Sequence, residues 1–278
     1  MKTINAKQAA LMLAMSLLSA NSMAGEACAS FGPQAPRDID STAGDNKRIF
    51  SMAPGAKDMN LCNIHFHTNA EHKARDFSIH AVAAKHGDGH GAGHSDGHDK
   101  GDAGYQCNMS KSLSIAELAA PKVNHCKGIK PGDTVEVHWV HSSCDVKPGK
   151  GLGSCLSPEC SNPNLRVETQ VFTVVNDSSA LNFMDFAYNG NMNNGYHQAK
   201  ALPGNTGTAV EYTGSTTGPK YTAQKCSPLE VSWGVRPQCA KLDINSLSNW
   251  CKGNVFKEDH AHGVRKLVVN PALLSKIK

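Results

Sequence analysis

The chain has 278 residues, ten cysteines and a formal net charge of +4, which falls to +2 once residues 1–24, with Lys2 and Lys7 and no acid, are set aside. That balance is too near neutral to argue for nucleic acid or anionic lipid as a partner, and there is no basic stripe or aromatic stacking pattern to reverse it. The length allows one large domain or two small ones.

Residues 1–24 read as an export signal. Lys2 and Lys7 give a positive start, residues 9–18 form an apolar run too short to span a bilayer, and Ser22-Met23-Ala24 supplies small residues for cleavage after Ala24. The mature chain, 25–278, is expected to be a single periplasmic or secreted domain without membrane insertion. All ten cysteines lie beyond the signal. An even count in an exported chain predicts disulfides rather than a cysteine metal site, with the pairing left open.

Residues 25–56 are polar and carry Pro33, Pro36 and Pro54, so they predict a loop-rich arm. Residues 60–67 and 77–84 predict strands flanking a turn. Residues 86–104 are almost entirely Gly, His, Asp, Ala and Ser, with nothing to anchor a core, and predict a flexible surface loop. Residues 113–118 predict a short helix, and Lys130-Pro131-Gly132-Asp133 a turn. Residues 134–141 and 167–175 are β-branched strand candidates. Three cysteines with Gly and Pro make 142–163 a stapled loop. Residues 212–219 read as turn-like, 229–235 as a strand and 243–250 as a helix. Many strands and few helices predict a mainly β fold.

The chemistry starts at His65-Phe66-His67. Histidines one residue apart on a strand point the same way and can share one metal ion. A third, His138, lies in the strand-like Glu136-Val137-His138-Trp139-Val140-His141. Three neutral histidines leave Zn2+ an open position and its full charge, the arrangement that lowers the pKa of a bound water to ~7. Asn63 precedes His65 by two residues, and Glu136 precedes His138 by two. Each lies on its histidine's face, placed to accept the proton of the ring nitrogen not used for metal. His141 is out of phase with His138 and predicts a hydrogen-bonded core histidine.

These motifs resemble those of the carbonic anhydrases. His65-Phe66-His67, Glu71-His72 and Glu136 to His141 are similar to the α-class HFH, EH and ELHLVH. Tyr212-Thr213-Gly214-Ser215-Thr216-Thr217-Gly218-Pro219 is similar to YxGSLTTPP, and Val231-Ser232-Trp233 to VTW. The matches run in the family's order from about residue 60 to 235. The shortened turn between the first two blocks, the long insert after them and the many cysteines resemble the δ-class, α-like enzymes more closely.

The resemblance implies a large, mostly antiparallel central β-sheet, few short helices and disulfide-stapled loops. It implies reversible hydration of CO2 to bicarbonate and a proton, with one Zn2+ per chain on His65, His67 and His138. Asn63 and Glu136 would orient His65 and His138. Glu71 would accept a hydrogen bond from a threonine that aims the attacking oxygen: Thr217 in the ungapped alignment, Thr216 if the threonine pair is aligned instead. Val140, Val231 and Trp233 would line the CO2 pocket, although the family's leucine before the threonines is missing. Cys226 would pair with Cys28 or Cys62. The usual upstream proton-shuttle histidine is absent, because residues 25–64 contain no histidine.

His86, His90, His94 and His98 in the Gly-rich loop admit three readings: a solvated loop, capture of zinc, or a mobile proton relay. Asp88, Asp96 and Asp99 favour capture over relay by adding oxygen ligands. The rival function is an exported zinc-buffering protein working through this loop. Metal storage needs neither Glu71 nor the Thr216-Thr217 pair, and their presence favours the enzyme.

Overall fold

The computed structural model describes residues 33–81, 103–216, 227 and 229–277. The strands are β1 (Pro33–Ala35), β2 (Asn60–Thr68), β3 (Ile79–His80), β4 (Tyr105–Gln106), β5 (Thr134–Ser142), β6 (Leu165–Val175), β7 (Met192–Asn193), β8 (Tyr196–His197), β9 (Val210–Thr216), β10 (Val231–Val235) and β11 (Ala240–Asp243); helix α1 spans Ile244–Lys252. Seven of the strands form one sheet in the order β1-β9-β10-β6-β5-β2, with β11 also beside β6. The mainly β expectation is met: the large sheet is mixed, with most of its paired residues antiparallel. β2/β5, β5/β6 and β9/β10 are antiparallel, whereas β1/β9, β6/β10 and β6/β11 are parallel. Strand β6 is long enough to take two neighbours on one side: β10 pairs with Leu165 to Thr169 and β11 with Phe172 to Val175, both running in its own direction.

The pleat sorts side chains between two cores. On one face Leu61, Ile64, Phe66, Val135, Val137, Trp139, Phe172 and Val174 pack with Ile244, Leu247 and Trp250 of α1. A register shift between Leu61 and Asn63 lets Leu61 and Ile64 share this face in spite of their odd spacing. The opposite face buries Val140, Val167, Val171, Val231, Trp233 and Val235. By alternation, His65, His67, Glu136 and His138 belong to this second face. Helix α1 starts where Asp243 accepts hydrogen bonds from the N–H groups of Asn245 and Ser246, close to the expected 243–250.

Several local expectations need correction. Residues 113–118 make a single turn instead of a helix: Ser114 and Glu117 bond reciprocally, and Pro121 follows at once, so nothing propagates the turn. Of the described residues 77–81, Ile79 and His80 are strand. The turn-like 212–219 is strand β9 as far as Thr216, because β10 and β1 both pair with it. Cys62 is bonded to Cys155, which removes it as the partner of Cys226; the other bridges among the described residues are Cys107–Cys239, Cys126–Cys251 and Cys144–Cys160. Two of these four staple the 142–163 loop as expected. The signal, Cys28, Cys226, Thr217 and the histidines His86, His90, His94 and His98 lie outside the described residues. Among the described residues no helix is long and apolar enough to cross a membrane.

Candidate metal centre

Cross-strand register builds the centre. His65 on β2 stands directly opposite His138 on β5, and His67 opposite Glu136. Each of the three histidines donates its outward N–H to a fixed acceptor. His65 Nδ1 donates to Asn63 Oδ1 at 2.7 Å, His67 Nδ1 to the Gly263 carbonyl at 2.9 Å and His138 Nε2 to Glu136 Oε1 at 2.7 Å. Asn63 is itself held, its Nδ2 donating to the Gly149 carbonyl at 3.1 Å.

With the protons fixed outward, the other nitrogens point lone pairs inward. His65 Nε2 and His138 Nδ1 are 3.3 Å apart, and each of the three histidines offers a ligand atom within 4.8 Å of the other two. His67 Nε2 is buried with no hydrogen-bond partner. Two lone pairs cannot hydrogen-bond to each other, so this arrangement calls for a cation between them. Zn–N bonds of ~2.0–2.1 Å in a tetrahedron put nitrogens roughly 3.3–3.4 Å apart, and the observed spacing fits.

Residues 56–246 match the family model described as delta carbonic anhydrase, well over half of the chain. The chain belongs to the delta carbonic anhydrase family. No curated protein and no solved structure matches it. The chain completes the candidate centre from outside the matched stretch: Gly263 and Arg265 arrive on a segment that lies along the free edge of β2. There Thr68 N donates to the His262 carbonyl and His262 N to the Phe66 carbonyl, both at 2.8 Å.

Electrostatics favour neutral imidazoles here. Burial, followed by its neighbouring histidines, holds His65 well below its ordinary 6.5, and burial drives His67 down to about 3. Burial alone would raise the Glu136 carboxyl, but His72 and His138 hold it well below its usual value. That carboxylate is fully used. Its Oε2 accepts from the N–H groups of Glu71 and His72 at 2.8 and 3.1 Å, and its Oε1 from His72 Nδ1 and His138 Nε2, both at 2.7 Å. His72 Nε2 in turn accepts from the Tyr212 hydroxyl at 2.7 Å. His72, Glu136 and His138 are also close enough to count as a metal-binding group. Their facing atoms already satisfy one another by hydrogen bonds, so they support the three-histidine centre and are not a second one.

Glu71 is buried beside the triad. Burial would raise its carboxyl, yet Arg265 pulls it down to about 2. Arg265 donates from its backbone N and its Nε to Glu71 Oε1, both at 2.8 Å, and from Nη2 to Oε2. The Arg265 guanidinium also lies 5.6 Å over the Trp233 ring. Sequence reasoning missed Arg265, Gly263 and the Tyr212 link to His72. A buried acid such as Glu71 demands a cationic partner, but nothing in residues 260–266 marks which residue supplies it.

Val140, Val231 and Trp233 are buried on the centre's face, with the Trp233 ring 5.5 Å from that of His138. Thr216 ends strand β9, and its neighbour Thr217 lies beyond the described residues. His141 is a buried core histidine, its Nδ1 donating to the Trp139 carbonyl at 3.1 Å.

Proposed function

We propose that this chain catalyses the reversible hydration of CO2 to bicarbonate and a proton, with one Zn2+ held by His65 Nε2, His67 Nε2 and His138 Nδ1. The observation that carries the reading is the set of inward lone pairs, with His65 Nε2 and His138 Nδ1 3.3 Å apart. Zinc on three neutral histidines supplies an undiminished double positive charge that makes water acidic near pH ~7. Asn63, the Gly263 carbonyl and Glu136 fix the three rings in the tautomers that metal binding needs.

Glu71, kept ionised by Arg265, can only accept hydrogen bonds. Its role is to accept a hydrogen bond from the hydroxyl of Thr217, or of Thr216, so that the threonine oxygen in turn accepts from the attacking water and aims it. Val140, Val231 and Trp233 form an apolar wall for CO2, which needs no hydrogen-bond donor and competes there with water. Dialysis against a strong chelator should abolish CO2 hydration, and added Zn2+ should restore it. Full activity in metal-free protein would refute the reading.

The His-rich loop belongs to the same proposal as a zinc-capturing segment. The described residues on either side of it are held together near Glu71: Ala81 N donates to the Gly104 carbonyl at 2.9 Å, Ala70 N to the Tyr105 carbonyl at 2.7 Å and Asn69 Nδ2 to the Ala103 carbonyl at 2.8 Å. Deleting residues 86–101 should slow zinc acquisition at limiting metal, and equal loading would discard this role. Four disulfides among the described residues fit an oxidising compartment, and with the export signal we place the protein in the periplasm or outside the cell.

A further inference from the structure

Hydration of CO2 leaves one proton per turnover in a site whose three histidines are committed to metal and to their outward acceptors. Among the described residues, three other rings lie against the triad: His72, Trp233 and His262. His72 is fully buried with both nitrogens engaged, and an indole has no basic nitrogen to offer. His262 stands on the open side. Its ring is 5.6 Å from that of His65 and 5.8 Å from that of His67, and its side chain is 30% exposed.

His262 is a poor resting place for the proton. Its Nε2 is engaged with Glu258 Oε2 at 2.9 Å, and an imidazolium against two ligand rings would be repelled by the metal's charge. His260 is one step further out. Two residues away in an extended segment, it faces the same side as His262, with its ring 5.8 Å from that of His262 and its side chain 56% exposed.

We propose that His260 is the proton acceptor through which the site empties into bulk buffer. His260 Nδ1 donates to Asp259 Oδ1 at 2.7 Å, and Asp259 Oδ2 is paired with Lys127 Nζ at 2.6 Å. Lys127 also lies alongside His260 as a β-bridge partner. Among the described residues the charged and titratable groups around His260 are Asp259 and Lys127, with His262 and Glu258 on the inward side. Nε2 takes the proton released by water as it becomes bicarbonate, giving an imidazolium. It then gives that proton to a buffer base and returns to neutral. An imidazole can do this because one ring nitrogen accepts the proton while the other keeps its hydrogen bond.

The proposal rests on the CO2-hydration reading, so its test measures two rates. Carbon-13 exchange between CO2 and bicarbonate at chemical equilibrium reports interconversion alone, and steady-state hydration reports interconversion plus proton export. His260→Ala and His260→Gln should match wild type in exchange and in kcat/KM. Both should lose at least about tenfold in kcat at low buffer concentration and regain it in concentrated imidazole. Glutamine can keep the hydrogen bond to Asp259 but cannot carry a proton, so wild-type kcat in His260→Gln at low buffer would overturn the proposal. Absence of exchange in wild type would instead defeat the underlying reading.

Discussion

In the proposed centre Asn63 has a supporting role, holding a histidine without itself binding the metal. Its Oδ1 holds His65 Nδ1–H at 2.7 Å, so the lone pair on Nε2 stays aimed inward. Asn63→Ala should weaken zinc affinity about 10- to 100-fold in chelator competition while the fold persists; undiminished affinity would remove Asn63 from the metal site. His141 gives a pH signature away from the metal. Burial lowers it from 6.5 to about 4, so the unfolded chain takes up the proton first as the solution is acidified. The stability linked to this group is fully present above pH 6.5 and is lost as pH falls towards 4. Urea unfolding from pH 7 to pH 4 should therefore show wild type losing about 3 kcal/mol more than His141→Gln. The triad, Asn63 and Glu136 were legible in the sequence because they share a period-two pattern on strands. Arg265 and Gly263 were not, because their contacts to Glu71 and His67 cross 194 and 196 residues of chain with no local pattern to announce them.

At the scale of elements, the strands that carry the centre were the clearest to read. β2, β5 and β6 are long, alternating or β-branched, and lie near their expected limits. β9 was hidden by its Gly, Ser and Thr content, which suggests a turn; pairing with β10 and β1 overrides that local preference. Parallel pairing of β10 and β11 with β6 leaves no hairpin signature, so a mixed sheet could not be told from an antiparallel one. Helix α1 covers the face opposite the metal centre and is fixed to the rest of the chain by Cys126–Cys251. Replacing both cysteines with alanine should cost about 2–4 kcal/mol in chemical denaturation, since the bridge closes a loop across 125 residues. Zinc affinity should change little, because the bridge lies in the core across the sheet from the histidines. A large loss of zinc affinity would show that the two faces are coupled.

The whole molecule is a sheet with two jobs divided between its faces. One face, with α1, is ordinary apolar core; the other combines apolar residues with a buried polar network from Tyr212 through His72 and Glu136 to His138. A network of this kind is costly unless every member is satisfied, and here the inward histidine nitrogens are what remain for a metal ion. The family match suggests CO2 hydration, and His65, His67 and His138 form a group that could hold the metal ion of the proposed reaction. The measurement that tests this most directly is stopped-flow CO2 hydration by the purified mature protein, with metal content determined on the same sample and on His138→Ala. The account predicts about one zinc per chain and rapid hydration, with both lost in the variant. Zinc bound without hydration, most of it surviving the substitution, would contradict it and move the function to metal buffering by the His86 to His98 loop.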